Sequence, residues 1–539
     1  MTARSPARSA AMMALGSVLG RATGFARTAA IGVALGAHLV NDDYTLANNL
    51  PNMVYELLVG GVLASVVVPM LVRARTRDPD AGQAFTDRLL SLTVVLLAVA
   101  ATAATAAAPL LTRLINNSDA SPTDSRLITM LGYLLLPEVF FYGVAAVITA
   151  VLNARGVFAA PAWMPIANNI VVIATAGVFL LIPTSGELTP ATITTTGILV
   201  LGIGTTAGIV VQSAGVAAVL RRTGFRWRWR WDWRQLGLRE LARAGGWILA
   251  YVVINQIALT AILRTAKTAG AAGPDIPGPA IFNNAYLVLM MAHGVVAVSI
   301  MTVLMPRMAE AAATNRPADV AEYLSRGTRL TALILVPAGA GYLLLGREIG
   351  VTLFSWGRYP VSAGVQTGWV IAAAGLALVP FAISQFQIFA LYALPDARTP
   401  ALLNVPVAAL RVAIAVAALY LLPARWVVVG IMVAHAVSFV VAMLLGGWAL
   451  RRRLGPLGSA RTLAMLAKIS AATLAATVPA ALVAFAVTRL LGPGKVGSMV
   501  CLLTAGATLA GAFLFVASRL RLPEVVDLTA MVRSRLRPR

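Results

Sequence analysis

Groups that carry out chemistry are scarce in this sequence. A single cysteine, Cys501, three histidines and 20 acidic residues are spread over 539 positions. One thiol excludes an intrachain disulfide, and its apolar surroundings speak against a thiolate metal site. The scattered histidines and carboxylates supply neither a metal-ligand cluster nor a hydrolytic triad. No glycine-rich loop ending in Lys-Ser or Lys-Thr occurs, which argues against ATP-driven work by this chain alone. The residue types point away from an enzyme, and no metal or cofactor is expected.

Charge is the second shortage. Charged residues make up 12% of the chain, about half the share in an ordinary soluble domain. Hydrophobic residues reach 59% and the mean hydropathy is +0.83. Too little polar surface remains to cover a water-facing exterior, so the surplus apolar surface must face lipid. Apolar runs long enough to cross a hydrocarbon core of roughly 30 Å recur along the whole chain. They predict an all-α polytopic membrane protein of about fourteen transmembrane helices. The expected spans are 9–36, 45–72, 89–112, 127–153, 160–182, 193–220, 244–263, 280–306, 321–345, 361–393, 399–421, 426–450, 462–488 and 496–518. The first apolar stretch follows Arg4 and Arg8 and runs on past Arg21 and Arg27. It carries no convincing cleavage pattern and is read as a retained helix, not a signal peptide.

The net charge of +23 raises the possibility of a nucleic-acid partner. Position decides against it. With the N-terminus in the cytoplasm, the large majority of the 43 Lys and Arg fall on cytoplasmic segments, as the positive-inside rule requires. The charge is an orientation signal, and both termini are expected in the cytoplasm.

The longest polar connection, Arg221–Arg243, falls near the middle, and the sequence on its two sides repeats weakly. Ala26-Arg27-Thr28-Ala29 is echoed by Leu263-Arg264-Thr265-Ala266, Asn48-Asn49 by Asn283-Asn284, and Pro69 by Pro306. Pro137 and Arg155 stand at the same separation as Pro380 and Arg398. The offset spans an even number of helices, so both copies cross in the same direction, as in parallel-repeat transporters with the substrate path at the lobe interface. The expected organisation is an N-terminal lobe at 1–222, a basic Arg/Trp linker at 223–243 and a C-terminal lobe at 244–453. Two further helices follow at 454–520, then a basic cytoplasmic tail at 521–539. Chance similarity among Ala/Val/Leu-rich helices is the competing explanation of the repeat.

Several motifs carry a resemblance. The segment Gly20-Arg21-Ala22-Thr23-Gly24-Phe25-Ala26-Arg27, the run Leu50-Pro51-Asn52 followed by Gly60-Gly61 and Pro69, and Gly346-Arg347-Glu348-Ile349 with Leu353-Phe354 occur in that order. Pro395-Asp396-Ala397-Arg398-Thr399-Pro400 follows them. Together they resemble the MurJ/MviN family of lipid II flippases, most closely its actinobacterial branch. That resemblance implies the multidrug/oligosaccharidyl-lipid/polysaccharide exporter fold with fourteen helices in a bacterial inner membrane. It implies lipid II, or a related polyprenyl-diphosphate glycolipid, as the substrate turned over from inner to outer leaflet. Membrane lipids and cell-wall synthesis proteins are the implied partners. The sequence departs from the family at Tyr55 and Glu56, where many members carry two arginines, and at Leu287, where many carry a basic residue. Some members bind sodium through acidic residues, yet Ala397–Ala460 and the apolar span of helix seven contain none.

A flippase for an anionic headgroup needs a hydrated cationic cavity, and charges inside spanning helices mark one. Arg21 and Arg27 differ by about 9 Å in height and about 240° in azimuth on an ideal helix, with Gly20 and Gly24 available for a bend. Guanidinium forks match phosphate geometry, against ion pairing for Arg21 and snorkelling for Arg27. Arg264 is the repeat mate of Arg27, whereas Lys267 is expected to be a loop charge. Asn48, Asn49, Asn283 and Asn284 read sugar or peptide groups, or serve as interhelical glue. Asp42, Glu56 and Glu138 are gating or ion-pair candidates; Glu138 and Glu56 pair with the arginines or take up protons, and Asp42 is a latch or a solvated loop charge. His293 and His435 are expected to pack, and Arg411 needs a partner from another helix or water. The strip Phe225–Arg234, which alternates aromatic and basic residues, reads as an interfacial anchor on anionic lipid in preference to a nucleic-acid site. Alternating access by rocking lobes is the expected cycle. Export of another polyprenyl-linked glycan, or a non-transporting scaffold for wall synthesis, are the alternatives; drug export predicts an acidic cavity and ranks below both.

Overall fold

The computed structural model describes residues 6–58, 67–80, 82–116, 121–183, 186–232 and 238–520. Gly60-Gly61, Trp233, Arg234 and the tail 521–539 lie outside the described residues. Seventeen α-helices and no strand are found among the described residues. They are α1 Pro6–Leu35, α2 Val40–Leu58, α3 Val68–Arg77, α4 Gln83–Ala106, α5 Ala108–Ile115, α6 Pro122–Leu135, α7 Glu138–Ala154, α8 Ala159–Leu180 and α9 Thr195–Arg222. The remainder are α10 Leu238–Gly270, α11 Pro279–Ala313, α12 Pro317–Phe354, α13 Val361–Ala393, α14 Arg398–Leu421, α15 Ala424–Leu454, α16 Ser459–Leu491 and α17 Lys495–Arg519. Among the described residues, twelve helical spans, with α6 and α7 together forming one, are long and apolar enough to cross a membrane. Within the described residues the expected spans fall on helices, and residues 59–66 of the second span lie outside them. Two spans are divided where the backbone breaks: Pro137 separates α6 from α7, and α5 restarts after Ala107 with Pro109 in its first turn, where proline is tolerated.

The chain divides into two compact units, Met1–Pro274 and Asp275–Arg539. In the first, α1 packs on α8, α8 on α9, and α7 on α4 and α9. Gly16, Gly20 and Gly24 recur at four-residue spacing on the face of α1 toward α8; a Cβ on Gly16 would meet the Trp163 indole, and one on Gly24 the Asn169 amide. Small residues at this spacing let helix backbones approach closely in lipid. That is the work of these glycines here, since α1 runs as one helix from Pro6 to Leu35. Gly36 ends it in the left-handed region at φ 87°, where glycine has no Cβ penalty. Asn41 Nδ2 then donates to Gly36 O at 2.6 Å and fixes the turn into α2.

In the second unit α12 and α13 approach backbone to backbone. A Cβ on Gly339 would lie 2.8 Å from Gly375 O, and one on Gly346 2.6 Å from Gly368 O. Helices α16 and α17, the two expected beyond the repeat, pack on α12 through Ala332, Leu333, Ile469, Ala472, Leu509 and Phe513.

Candidate functional site

In the first unit Arg27, Glu138 and the phenols of Tyr44 and Tyr142 lie in electrostatic reach of one another. Pro137 breaks the chain, and Glu138 opens α7 at the break with 1% of its surface exposed. The adjacent hydroxyls of Thr205 and Thr206 on α9 serve two different helices. Tyr44 of α2 is 2.9 Å from Thr205 Oγ1, and Glu138 Oε1 is 3.1 Å from Thr206 Oγ1. The charge of Arg27, from α1, acts on Glu138, Tyr44 and Tyr142. Tyr142 in turn packs its ring 5.6 Å from that of Tyr55, next to half-buried Glu56. Arg27 is half-buried, with two phenols and a carboxyl in electrostatic reach of its guanidinium, a group whose bonds to phosphate oxygens are charge-assisted. Arg21 is half-buried on the same helix, and Arg264 is exposed on α10.

A second constellation surrounds Lys267, which is buried within α10 and is not the loop charge expected from the sequence. Its Nζ donates to Asp43 Oδ1 at 2.6 Å and to Asp124 Oδ2 at 2.9 Å. The apolar span ends near residue 263, but the helix carries on to Gly270 because these carboxylates satisfy the lysine. Asp43 and Asp124 lie in the first turns of α2 and α6, and Lys267 in the last turn of α10, so each charge also complements its helix dipole. Asp42, expected as a latch or a solvated loop charge, is buried beside Asp43 and is not a solvated charge.

The paired amides are placed differently from one another. Asn49 Nδ2 donates to Thr45 O of its own helix at 2.8 Å, while Asn48 is half-buried. In the second unit Asn284 is buried and donates to Tyr359 Oη, which also bonds Thr367; Asn283 is half-buried. Arg411 donates to Ser438 Oγ at 3.0 Å and lies over the Phe439 ring. His435 is buried among Phe282, Tyr286 and Phe439, its Nδ1 2.9 Å from Ile431 O. His293 packs on Phe381.

The aromatic-basic strip runs along α4. The backbone amides of Arg228 and Arg230 donate to Asp87 Oδ1 and Ser91 Oγ, and Arg226 O accepts from Gln83. Phe225 is buried beneath the Arg155 guanidinium. Trp227, Trp229 and Trp231 stay exposed in a row, the last two with rings 4° from parallel. Arg88 bonds Asp232 at 2.7 Å and holds that carboxyl below the usual carboxylate range.

Sequence reasoning missed Asp43, Asp124, Thr205 and Thr206. Acidic first turns facing a basic last turn were the available signal for the first pair, and consecutive hydroxyls in an apolar helix for the second.

The family model described as lipid II flippase MurJ matches residues 31–505. A probable lipid II flippase MurJ of Rhizobium meliloti (strain 1021) is 26% identical over 391 residues, which is 71% of this chain and 70% of that protein. One from Bdellovibrio bacteriovorus is 23% identical over 446 residues, 82% of this chain and 81% of that protein. Among solved structures, a lipid II flippase MurJ in an inward closed conformation superposes with TM-score 0.72 at 15% identity, covering 94% of this chain and 99% of that one. A multidrug resistance MATE family transporter of the MOP superfamily, inward-facing, gives TM-score 0.62 at 16% identity over 81% of this chain and 95% of that one.

Proposed function

This chain belongs to the lipid II flippase MurJ family, and from that membership we propose that it turns lipid II over from the inner to the outer leaflet. The match across most of the membrane body is the observation that carries this reading. Transport by alternating access makes and breaks no bond, in keeping with the scarcity of catalytic residue types. Within the reading, Arg27 is the leading diphosphate contact because it is a half-buried guanidinium in a spanning helix with a carboxyl in electrostatic reach. Arg21, Arg264, Asn48, Asn49, Asn283 and Asn284 complete the proposed substrate set. Asp42, Glu56 and Glu138 are the proposed gating or charge-balancing residues.

The finer placement is also a proposal. The excess of Lys and Arg on alternate loops supports a multi-pass protein of the bacterial inner membrane with both termini in the cytoplasm. The paired motifs on either side of residues 223–243 support two parallel six-helix lobes followed by two further helices.

The test is access of lipid II to an externally added probe, in cells depleted of their own flippase and expressing this chain or its Arg27→Ala variant. Recovery of outer-leaflet lipid II with the wild type and not with the variant is the expected result. Failure of both, with both present in the membrane, removes lipid II as the substrate. Export of another polyprenyl-linked glycan or a scaffold role in wall synthesis would then take its place.

A further inference from the structure

We infer that Glu138 is a proton-binding site whose proton is taken up when an anionic diphosphate occupies Arg27. The inference rests on the diphosphate assignment above and adds the ion that moves with it.

The argument begins with a count of hydrogens on two adjacent threonines. A hydroxyl has one proton to donate. Thr205 Oγ1 lies 2.6 Å from Leu201 O, a carbonyl that can only accept, so the Thr205 proton is placed there. Its contact with Tyr44 is therefore made by the phenol, which donates. Thr206 repeats the pattern: its Oγ1 lies 2.8 Å from Leu134 O and 3.1 Å from Glu138 Oε1. Leu134 stands in the last turn of α6, where backbone carbonyls lack intrahelical partners, so this carbonyl needs the donor. With the Thr206 proton on Leu134 O, an ionised Glu138 would set a carboxylate lone pair against a hydroxyl lone pair. A protonated Glu138 donates instead, and every group in the chain Glu138–Thr206–Leu134 is satisfied. Burying a charge without a donor costs far more than burying a neutral hydrogen-bonded acid.

The surroundings say what changes the proton count. Of the elements packed against α7, α9 presents the two threonines, and α2 presents Tyr44, Tyr55 and Glu56. On α3, Arg75 reaches Ala154 O at the opposite end of α7. On α4, Asp87 and Arg88 are engaged with the strip at 226–232. On α7 itself the neighbour is Tyr142, and the cation in reach is Arg27. When a diphosphate holds the Arg27 guanidinium, Glu138 stays as the neutral acid. When the diphosphate leaves, the bare guanidinium is balanced by Glu138 giving its proton to water and becoming a carboxylate. The local charge stays near zero in both states. By linkage, proton binding then strengthens diphosphate binding by the same factor that diphosphate strengthens proton binding.

The experiment uses the purified full chain in weakly buffered detergent with a pH-indicator dye, titrated with farnesyl diphosphate, while calorimetry follows binding. Glu138→Gln keeps the shape and supplies an amide donor for Thr206, so it is the matched control. Ionisation of the ligand itself is common to both chains. The wild type is expected to take up as much as one proton per chain more than Glu138→Gln. Equal uptake with binding intact overturns the inference and leaves the diphosphate assignment standing. No binding by either chain removes both. A second readout follows the acid itself: adding farnesyl diphosphate at neutral pH is expected to raise the infrared carbonyl stretch of a protonated carboxylic acid, a change lost in Glu138→Gln and shifted in Thr206→Val. Ligand binding with the same infrared difference in the wild type and Glu138→Gln overturns the proposal.

Discussion

Lys267 of α10 donates to Asp43 of α2 at 2.6 Å, with side-chain exposures of 7% and 0%. A second bond to Asp124 at 2.9 Å makes this one ammonium the tie between α10 and both α2 and α6. Removing one partner of a buried pair leaves an uncompensated charge, which costs about 3–5 kcal/mol. Lys267→Met is therefore expected to lower the thermal midpoint of the detergent-purified protein sharply, read by fluorescence-detected gel filtration. Adding Asp43→Asn to Lys267→Met should recover much of the loss, because the fully buried one of the two orphaned carboxylates is then neutral. A double variant no more stable than Lys267→Met would mean the pair is not what holds α10.

Glycines at the α12–α13 contact predict a contrast within one protein. At Gly346 a methyl group would sit 2.6 Å from Gly368 O and 2.9 Å from Ala372 N. These are backbone atoms that cannot swing aside, so overpacking of about 1–3 kcal/mol is expected for Gly346→Ala. Gly177, in α8, has nothing within 4 Å of its would-be Cβ. There alanine should be neutral or stabilising by up to about 1 kcal/mol, from helix propensity alone. Melting curves of the two variants should move in opposite directions or differ by several degrees.

Helix placement was legible because apolar runs of bilayer length announce themselves residue by residue, and twelve helical spans long and apolar enough to cross a membrane stand among the described residues. The end of α10 was not. Lys267 looks like a loop charge until Asp43 and Asp124, distant in sequence, are brought beside it. Arg27 and Glu138 could each be named as candidates from the cost of a charge in lipid, but nothing in the sequence says that Thr205 and Thr206 hold α2 and α7 against the same point. The glycines of α1 suggested a bend; their regular four-residue spacing was the signal of close packing on α8. In each case the local pattern was readable and the partner was not.

The strip along α4 should report on the membrane surface. Three exposed indoles alternate with Arg226, Arg228 and Arg230, whose side chains are exposed, and basic residues near an anionic surface gain about 1 kcal/mol each. Reconstituted protein is expected to show stronger tryptophan quenching by brominated phosphatidylglycerol than by brominated phosphatidylcholine at equal mole fraction. Changing the three arginines together to glutamine should abolish the preference, and raised salt should weaken it in the wild type. Equal quenching by both lipids would exclude an anionic-lipid contact.

Arg27 and Arg264 stand at corresponding positions of the weak repeat, yet their surroundings differ. Arg27 is half-buried with Glu138 and Tyr142 in reach of its charge, whereas Arg264 is exposed one turn before Lys267. A guanidinium held among polar groups is pre-organised to grip phosphate through two parallel bonds, and lysine at the same place keeps the charge but loses the fork. Hydrogen bonds to charged groups contribute about 1.5–3 kcal/mol each, so losing one of the two predicts roughly a tenfold or greater fall. In the outer-leaflet lipid II assay, Arg27→Lys is accordingly expected to retain about a tenth of wild-type translocation or less, and Arg27→Ala none. Arg264→Lys should be milder, since an exposed side chain has water to replace whatever contact it loses. Equal tolerance of lysine at both positions would show that Arg27 acts as a simple positive charge, and the bidentate diphosphate contact would have to be abandoned.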